Sequence, residues 1–548
     1  MRQPEHTIKT VGLGLIAAWA LSACVATTGT PHSDTATVLN ETVQDFPENV
    51  SDDLNYSSTI MTVRAGLKGI SDRYIEDVDL PVLALDGMRG LATIDPGLAL
   101  DQEDGMVHLR LQNAPIAEFA RPISNDPTAW ANLTSNVIRA ARTKSMDLRI
   151  ASEERIYEAV FDGMLAGLDV FSRYSGAEEA RVNRARRDGF GGIGIRFAKS
   201  EGAIMITHVQ EDGPAANAGL QPGDMLLMVN QEDVTTLSLR QIAKRLRGPV
   251  GSRLTLSISR LDDNVRFPDR HISYTLSRAH IVPDTVRTAL KNGILHIRLT
   301  GFNKKTTPSL SDVLKGHEPD LTSGVIKGVI MDLRDNPGGL LSQSVNVADL
   351  FLDQGRIIAT RGRHPDSFHD YRAGGSDLID GKPLVILVDA ESASAAEIVA
   401  SALQDLGRAV VVGSSSYGKG TVQTVIRLPN NGEMTLTWSR LVAPHGYALH
   451  GLGVMPSVCV TNVQENTIEA ILAAEHIDGQ RETMAAWHAA GLIFDGRRSG
   501  LRKACPARIF KPGNNGDLLM DLANGVLNDP ALYRRAILLA EPINTASR

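Results

Sequence analysis

The stretch that most constrains the fold runs from Thr285 to Val460, where short apolar segments alternate with amphipathic ones. ILHIRL, GVIMDL, PLVILVDA, AVVVG and TVQTVIRL read as strands, while LSQSVNVADLFL and AAEIVASALQDL carry apolar residues at helical spacing. Strand and helix in alternation define an α/β unit. In a chain of 548 residues this unit cannot be everything. Domains of ~100–200 residues predict three or four units.

The flanking texture differs. Residues 61–188 read as largely helical, with a weak internal echo between LALDGMRGLATID (83–95) and AVFDGMLAGLDVF (159–171). Residues 189–262 change to short alternating runs broken by glycine and proline, which predicts strands around two short helices. Residues 461–548 return to helices and loops, including DLLMDLANGVL. The net charge of −7 gives no reason to expect nucleic acid as a partner.

Arg2 and Lys9 precede the apolar run Val11–Leu21, too short for the ~20 residues that span a bilayer, which marks residues 1–23 as a signal peptide. Leu21-Ser22-Ala23-Cys24 resembles the bacterial lipobox, which implies a diacylglyceryl group on Cys24, a flexible tether over 24–60 and a periplasmic, lipid-anchored protein. Val25 replaces the aspartate that commonly retains lipoproteins at the inner membrane, which favours the outer one. In that oxidising compartment Cys459 and Cys505 either pair or stay as two buried thiols.

Two glycine-rich motifs fail on context. Gly189, Gly191 and Gly194 match GxGxxG, but a strand-like segment follows where a dinucleotide site needs a helix. GSSSYGK (413–419) fits the start of a P-loop, yet Gly420 stands at the magnesium-binding position and a strand pattern follows.

Ser394 opens the second amphipathic segment and forms with Glu397 the S-x-x-E pattern of a capping box, so a helix cap explains it on its own. Taken further, SASAAEIVASALQDLGRAVVVG and YGKGTVQ resemble the carboxyl-terminal processing (tail-specific) proteases, whose serine nucleophile and lysine base are separated as Ser394 and Lys419 are here. Ser392 gives the wrong spacing. A serine hydroxyl needs a base, and a lysine serves only when burial lowers a pKa that is ordinarily ~10.4. The resemblance assigns Gln423 to orient that amine. It also points to the backbone amides of Ala395 and of Gly338 or Gly339, in the turn VIMDLRDNPGGLL, as oxyanion donors. Asp405 matches an acidic supporting position. Neither His445 nor His450 has a recognisable partner acid for a Ser/His/Asp arrangement.

The same resemblance makes residues 189–262 a PDZ domain, with Gly191, Gly192, Ile193 and Gly194 receiving a peptide carboxylate and Arg247 coupling ligand binding to the active site. The expected architecture is a multidomain α/β protein: a mixed-sheet, ClpP/crotonase-like peptidase core (280–460), an inserted PDZ domain, and helical regions at 61–188 and 461–548. The implied function is a periplasmic serine endopeptidase that binds C-terminal tails and cleaves unstructured segments without metal or cofactor. Further partners in this reading are an adaptor lipoprotein and a second copy of the chain. The alternatives are a noncatalytic binding or scaffold protein on the same core, and a protease at rest until an adaptor binds.

Overall fold

The computed structural model describes residues 55–261, 269–461, 467–492, 496–511 and 517–540. The signal peptide, Cys24 and most of the expected tether lie outside these residues. The tether's last residues do not: the helix Tyr56–Arg73 begins within it, because Asn55 accepts from the Ser58 amide and caps the first turn (3.1 Å). The end of a Thr/Ser/Asp/Asn-rich stretch thus supplies a helix cap rather than a linker.

The α/β unit is built on six strands in the order Val286–Lys291, Ile294–Leu299, Gly328–Asp332, Leu384–Val388, Val410–Gly413, Val458–Cys459. The first two form an antiparallel hairpin and the rest run parallel. Gly328–Asp332, Leu384–Val388 and Val410–Gly413 are buried at every position, as parallel strands covered on both faces must be. On one face Met331, Ile386 and Val411 meet the helices Thr306–Gly316, Leu341–Asp349 and Ala395–Asp405. On the other, Ile330, Val385, Leu387 and Val412 meet Leu519, Leu522 and Val526 from the helix Leu518–Asn528. The C-terminal region therefore supplies half of the sheet's covering, and position 460 marks a change of texture rather than the end of a core.

Two further ties hold this region. A disulfide joins Cys459 and Cys505, whose Cα atoms are 6.0 Å apart. The buried Arg334 guanidinium donates to Asp332 (2.8 Å to each oxygen) and to Asp517 (2.7 and 2.9 Å), which caps the Leu518–Asn528 helix.

A second, antiparallel sheet runs His369–Arg372, Arg356–Gly362, Glu433–Val442, Thr421–Arg427. Its fifth strand, Arg173–Ser175, comes from before the PDZ segment and pairs with Glu433–Thr435. The chain thus leaves this sheet, builds the PDZ unit and returns, so that unit is an insertion. Its strands Ile195–Ser200, Ala203–Val209, Met225–Val229, Arg253–Leu261 and Asp269–Ser277 surround a separate core of Ile204, Ile206, Leu226, Ile242 and Leu256. The last of these strands pairs along its length with Arg253–Leu261, which carries the unit past the expected boundary at 262. The helix Ala177–Asp188 leads into it, and both Arg184 and Arg187 pair with the buried Glu433 at 2.9 Å.

The N-terminal region is less purely helical than expected. Leu98–Glu103, Met106–Leu111 and Ala114–Ala120 form a three-stranded meander. Its turns are Asp104-Gly105 and Gln112-Asn113, all four with positive φ, the hairpin chemistry that the helical reading passed over. The internal echo has a physical counterpart. The helices Leu80–Arg89 and Glu153–Leu165 cross at Gly87 and Gly163, where an added Cβ on Gly163 would lie 2.4 Å from the Asp86 carbonyl oxygen. Among the described residues no helix is long and apolar enough to cross a membrane.

Candidate active site

Ser394 lies between the end of the Leu384–Val388 strand and the helix Ala395–Asp405, with φ 55° and ψ −109°. A non-glycine residue in this region is strained and persists only where its surroundings over-determine it. Here they do: the Ala393 amide donates to the Asn336 carbonyl (2.9 Å), and the Ser394 amide to Glu397 Oε2 (2.7 Å). The capping box is thus made by its glutamate. Ser392, by contrast, is buried, donates to the Leu333 carbonyl (2.8 Å) and accepts from the Asp389 amide (2.9 Å). Its hydroxyl is consumed by structure.

Glu397 is the centre of the arrangement. Its Oε2 accepts from the amides of both Ser394 and Lys419 (2.9 Å for the latter), and its Oε1 from the Gly418 amide (2.6 Å) and the Ser416 hydroxyl (2.5 Å). One carboxylate oxygen therefore links the backbones of Ser394 and Lys419. Burial raises the Glu397 pKa, and these four hydrogen bonds oppose the rise.

Lys419 is half-buried, with its Nζ 5.1 Å from the centre of the Phe171 ring. Burial lowers its pKa below the ordinary lysine value, the nearby Arg173 lowers it further, and Glu397 and Asp169 act in the opposite direction. Lys419 precedes the strand Thr421–Arg427 rather than lying on it, and the strand is bulged between Val422 and Gln423, so simple alternation does not relate Lys419 to Gln423. The Gln423 amide nitrogen donates to Thr421 (2.8 Å) and Thr437 (3.3 Å). Thr437 in turn donates to Asp169 (3.0 Å).

The Asn-Pro-Gly-Gly turn lies directly against Ser394. A Cβ on Gly338 would come within 2.9 Å of both the Ala395 amide nitrogen and the Ser394 Cβ, and Gly338 has φ +99°. The two glycines differ in one respect. The Gly338 amide donates to the Asn336 side chain (2.9 Å), whereas among the described residues the amides of Gly339 and Ala395 have no acceptor.

The other expected residues lie elsewhere. Asp405 ends the helix that Ser394 precedes, ~16 Å away at 1.5 Å per residue. Gly191 and Gly192 lie on the short strand Phe190–Gly192, paired with Ala279–Ile281, and the carbonyls of Ile193 and Gly194 accept from Ala215 (3.0 Å) and Gln210 (2.8 Å). Arg247 stacks on Phe190, 4.2 Å from the ring centre, at the end of the helix Leu239–Leu246. Conversely, the sequence reading missed Phe171, Asp169 and Arg502. Arg502, from the C-terminal region, donates to the Ser416 carbonyl (2.8 Å) beside the Lys419 loop. Only Glu397 left a local signal, and a helix cap accounted for it.

The model of peptidase family S41 matches residues 293–460, and that of a PDZ domain residues 205–260. The molecule is thus a serine-type peptidase of family S41 with a PDZ domain. Over 320 residues, 58% of this chain and 73% of the relative, it is 35% identical to a carboxy-terminal-processing protease of Bartonella bacilliformis. It belongs to the carboxy-terminal-processing protease family. A probable CtpA-like serine protease of Staphylococcus epidermidis is 30% identical over 325 residues, 58% of this chain and 64% of that one. Among solved structures, the photosystem II D1 C-terminal processing protease aligns with 76% of this chain and 96% of its own at 21% identity, with a TM-score of 0.38.

Proposed function

We propose that this protein is a lipid-anchored periplasmic endopeptidase in which Ser394 is the nucleophile and Lys419 the general base. The observation that carries the proposal is the Glu397 carboxylate, one oxygen of which holds the backbones of both residues, while burial favours the neutral lysine amine. In the reaction the neutral amine takes the hydroxyl proton as Oγ attacks the scissile carbonyl. The developing oxyanion accepts from the Ala395 amide, at the start of a helix, and from the Gly339 amide, since that of Gly338 is engaged by Asn336. With its nitrogen committed to two threonines, Gln423 has a carbonyl oxygen with which to orient the lysine amine. The leaving amine departs with the proton from Lys419, and water then hydrolyses the acyl-enzyme.

Substrate tails bind the PDZ unit in this reading. Ile195–Ser200 is an edge strand of its sheet and packs beside the helix Leu239–Leu246, so an extended C-terminus can add as a further strand near Gly194. The test compares cleavage of an unfolded protein with an apolar C-terminus by the wild type, Ser394→Ala and Lys419→Ala. A loss of at least ~10³-fold is expected for each variant. Equal cleavage by all three would overturn the assignment.

A further inference from the structure

At the far end of the Ser394 helix, three side chains from three parts of the chain converge. Asp405 is the last residue of that helix, His445 sits in the turn after the strand Glu433–Val442, and His488 ends the helix Arg481–His488 of the C-terminal region. One ligand-type atom from each lies within 4.8 Å of the other two. The sequence conceals the group, because its members are scattered and share no ligand motif.

Two features separate this cluster from an ordinary buried polar contact. The first is burial without satisfaction. The Asp405 side chain is 0% exposed and that of His488 10% exposed, yet Asp405 Oδ1 and His488 Nε2 have no hydrogen-bond partner although they face each other at 3.4 Å. Leaving a buried carboxylate oxygen and a buried imidazole nitrogen unpaired is costly, and nearly all such groups in native proteins find partners. The second is spacing. Asp405 Oδ1 is 3.4 Å from His488 Nε2 and 3.8 Å from His445 Nδ1, and His445 Nδ1 also meets His488 Nδ1 at 3.2 Å, a hydrogen bond that metal binding would replace. Three ligands on a tetrahedral Zn²⁺, each ~2.0–2.1 Å from the metal, are themselves ~3.3 Å apart.

The surroundings suit a metal site. The His445 amide donates to Asp405 Oδ2 (3.2 Å), fixing the carboxylate with Oδ1 towards the imidazoles. Tyr447 is buried and stacks on His488 at 5.4 Å between ring centres, which limits rotation of that ring. The turn that carries His445 is held by Arg356, which donates to the Pro444 carbonyl (2.7 Å). His445 is the most accessible of the three at 17%, which leaves an entry path and a side on which water completes the coordination.

We infer that Asp405, His445 and His488 bind one Zn²⁺ through Oδ1, Nδ1 and Nε2, joining the end of the Ser394 helix to the C-terminal region. A nitrogen and oxygen set of this kind takes first-row divalent ions in general, so Co²⁺ serves as the spectroscopic probe.

The test uses the mature chain purified without a polyhistidine tag, stripped with a chelator, and loaded with Zn²⁺ or Co²⁺. One zinc per chain should remain after desalting, and cobalt should give the intense visible absorption of a four-coordinate ion. His445→Ala/His488→Ala should retain less than a tenth of the metal. His445→Gln, a change on the accessible turn that leaves the two buried groups in place, should weaken zinc binding at least tenfold while keeping the wild-type circular dichroism spectrum. Ser394→Ala should still bind one equivalent, which separates this site from the catalytic one. No retained zinc in the wild type, or equal retention by the folded His445→Gln variant, would overturn the inference.

Discussion

Ser394 and Lys419 are each unremarkable by local criteria, a serine at a helix start and a lysine between glycines, and their environments set them apart. The backbone strain at Ser394 was not legible in the sequence, because φ 55° results from contacts with Asn336 and Glu397 rather than from the serine's own preferences. The depressed lysine was legible only as a requirement of the chemistry. Its causes are burial and Arg173, and Arg173 comes from a segment more than two hundred positions earlier. A pH prediction follows. In the proposed mechanism Lys419 must be neutral, so kcat/KM should rise with pH through a single ionisation below the ordinary lysine value of ~10.4. Arg173 repels the charged form, so Arg173→Ala should raise the Lys419 pKa and move the rise to more alkaline pH. Because Arg173 is exposed, the displacement should be larger at low salt than in high salt. A pH–rate profile unmoved by this change would remove Arg173 from the account.

Among elements, the Ala395–Asp405 helix and the loop leading to Thr421 are locked together by Glu397. The S-x-x-E pattern correctly placed the helix start, but the pattern is local and says nothing of the loop that also donates to the glutamate. Glu397→Gln should expose the difference. A glutamine presents one acceptor oxygen and turns an NH₂ towards amides that are themselves donors. It should therefore cost about 1–3 kcal/mol in urea denaturation and, on the proposed mechanism, lower kcat at least ~100-fold, since Ser394 and Lys419 lose their common support. A simple helix cap would show the loss of stability with little change in kcat. The meander at 98–120 teaches a related point. Its Asp104-Gly105 turn carries hairpin chemistry, yet the helical periodicity on both sides outweighed it in the reading.

For the whole molecule, the strand and helix alternation from Thr285 to Val460 was sufficient to locate the α/β sheet, because fully buried parallel strands leave continuous apolar runs. What covers the sheet was not legible, since an amphipathic helix does not announce which surface it will meet. The Arg334 bridge shows how far apart the joined parts are. Asp517→Ala would leave its buried guanidinium with Asp332 alone, at a cost of about 3 kcal/mol. The expected outcome is a lower melting temperature together with faster hydrogen exchange in Leu518–Asn528, ahead of the PDZ strands. Uniform exchange throughout would show that the bridge does not hold the C-terminal helices in place.

Because those helices cover one face of the sheet and Arg502 supports the Lys419 loop, the peptidase core must wait for segments that follow Ser394 by more than a hundred positions. The PDZ unit, with a core of its own, needs no such wait. The order in which the polypeptide emerges thus acts as a timer: the PDZ unit folds early, and a potentially destructive hydrolase stays incomplete until the Leu518–Asn528 helix has arrived.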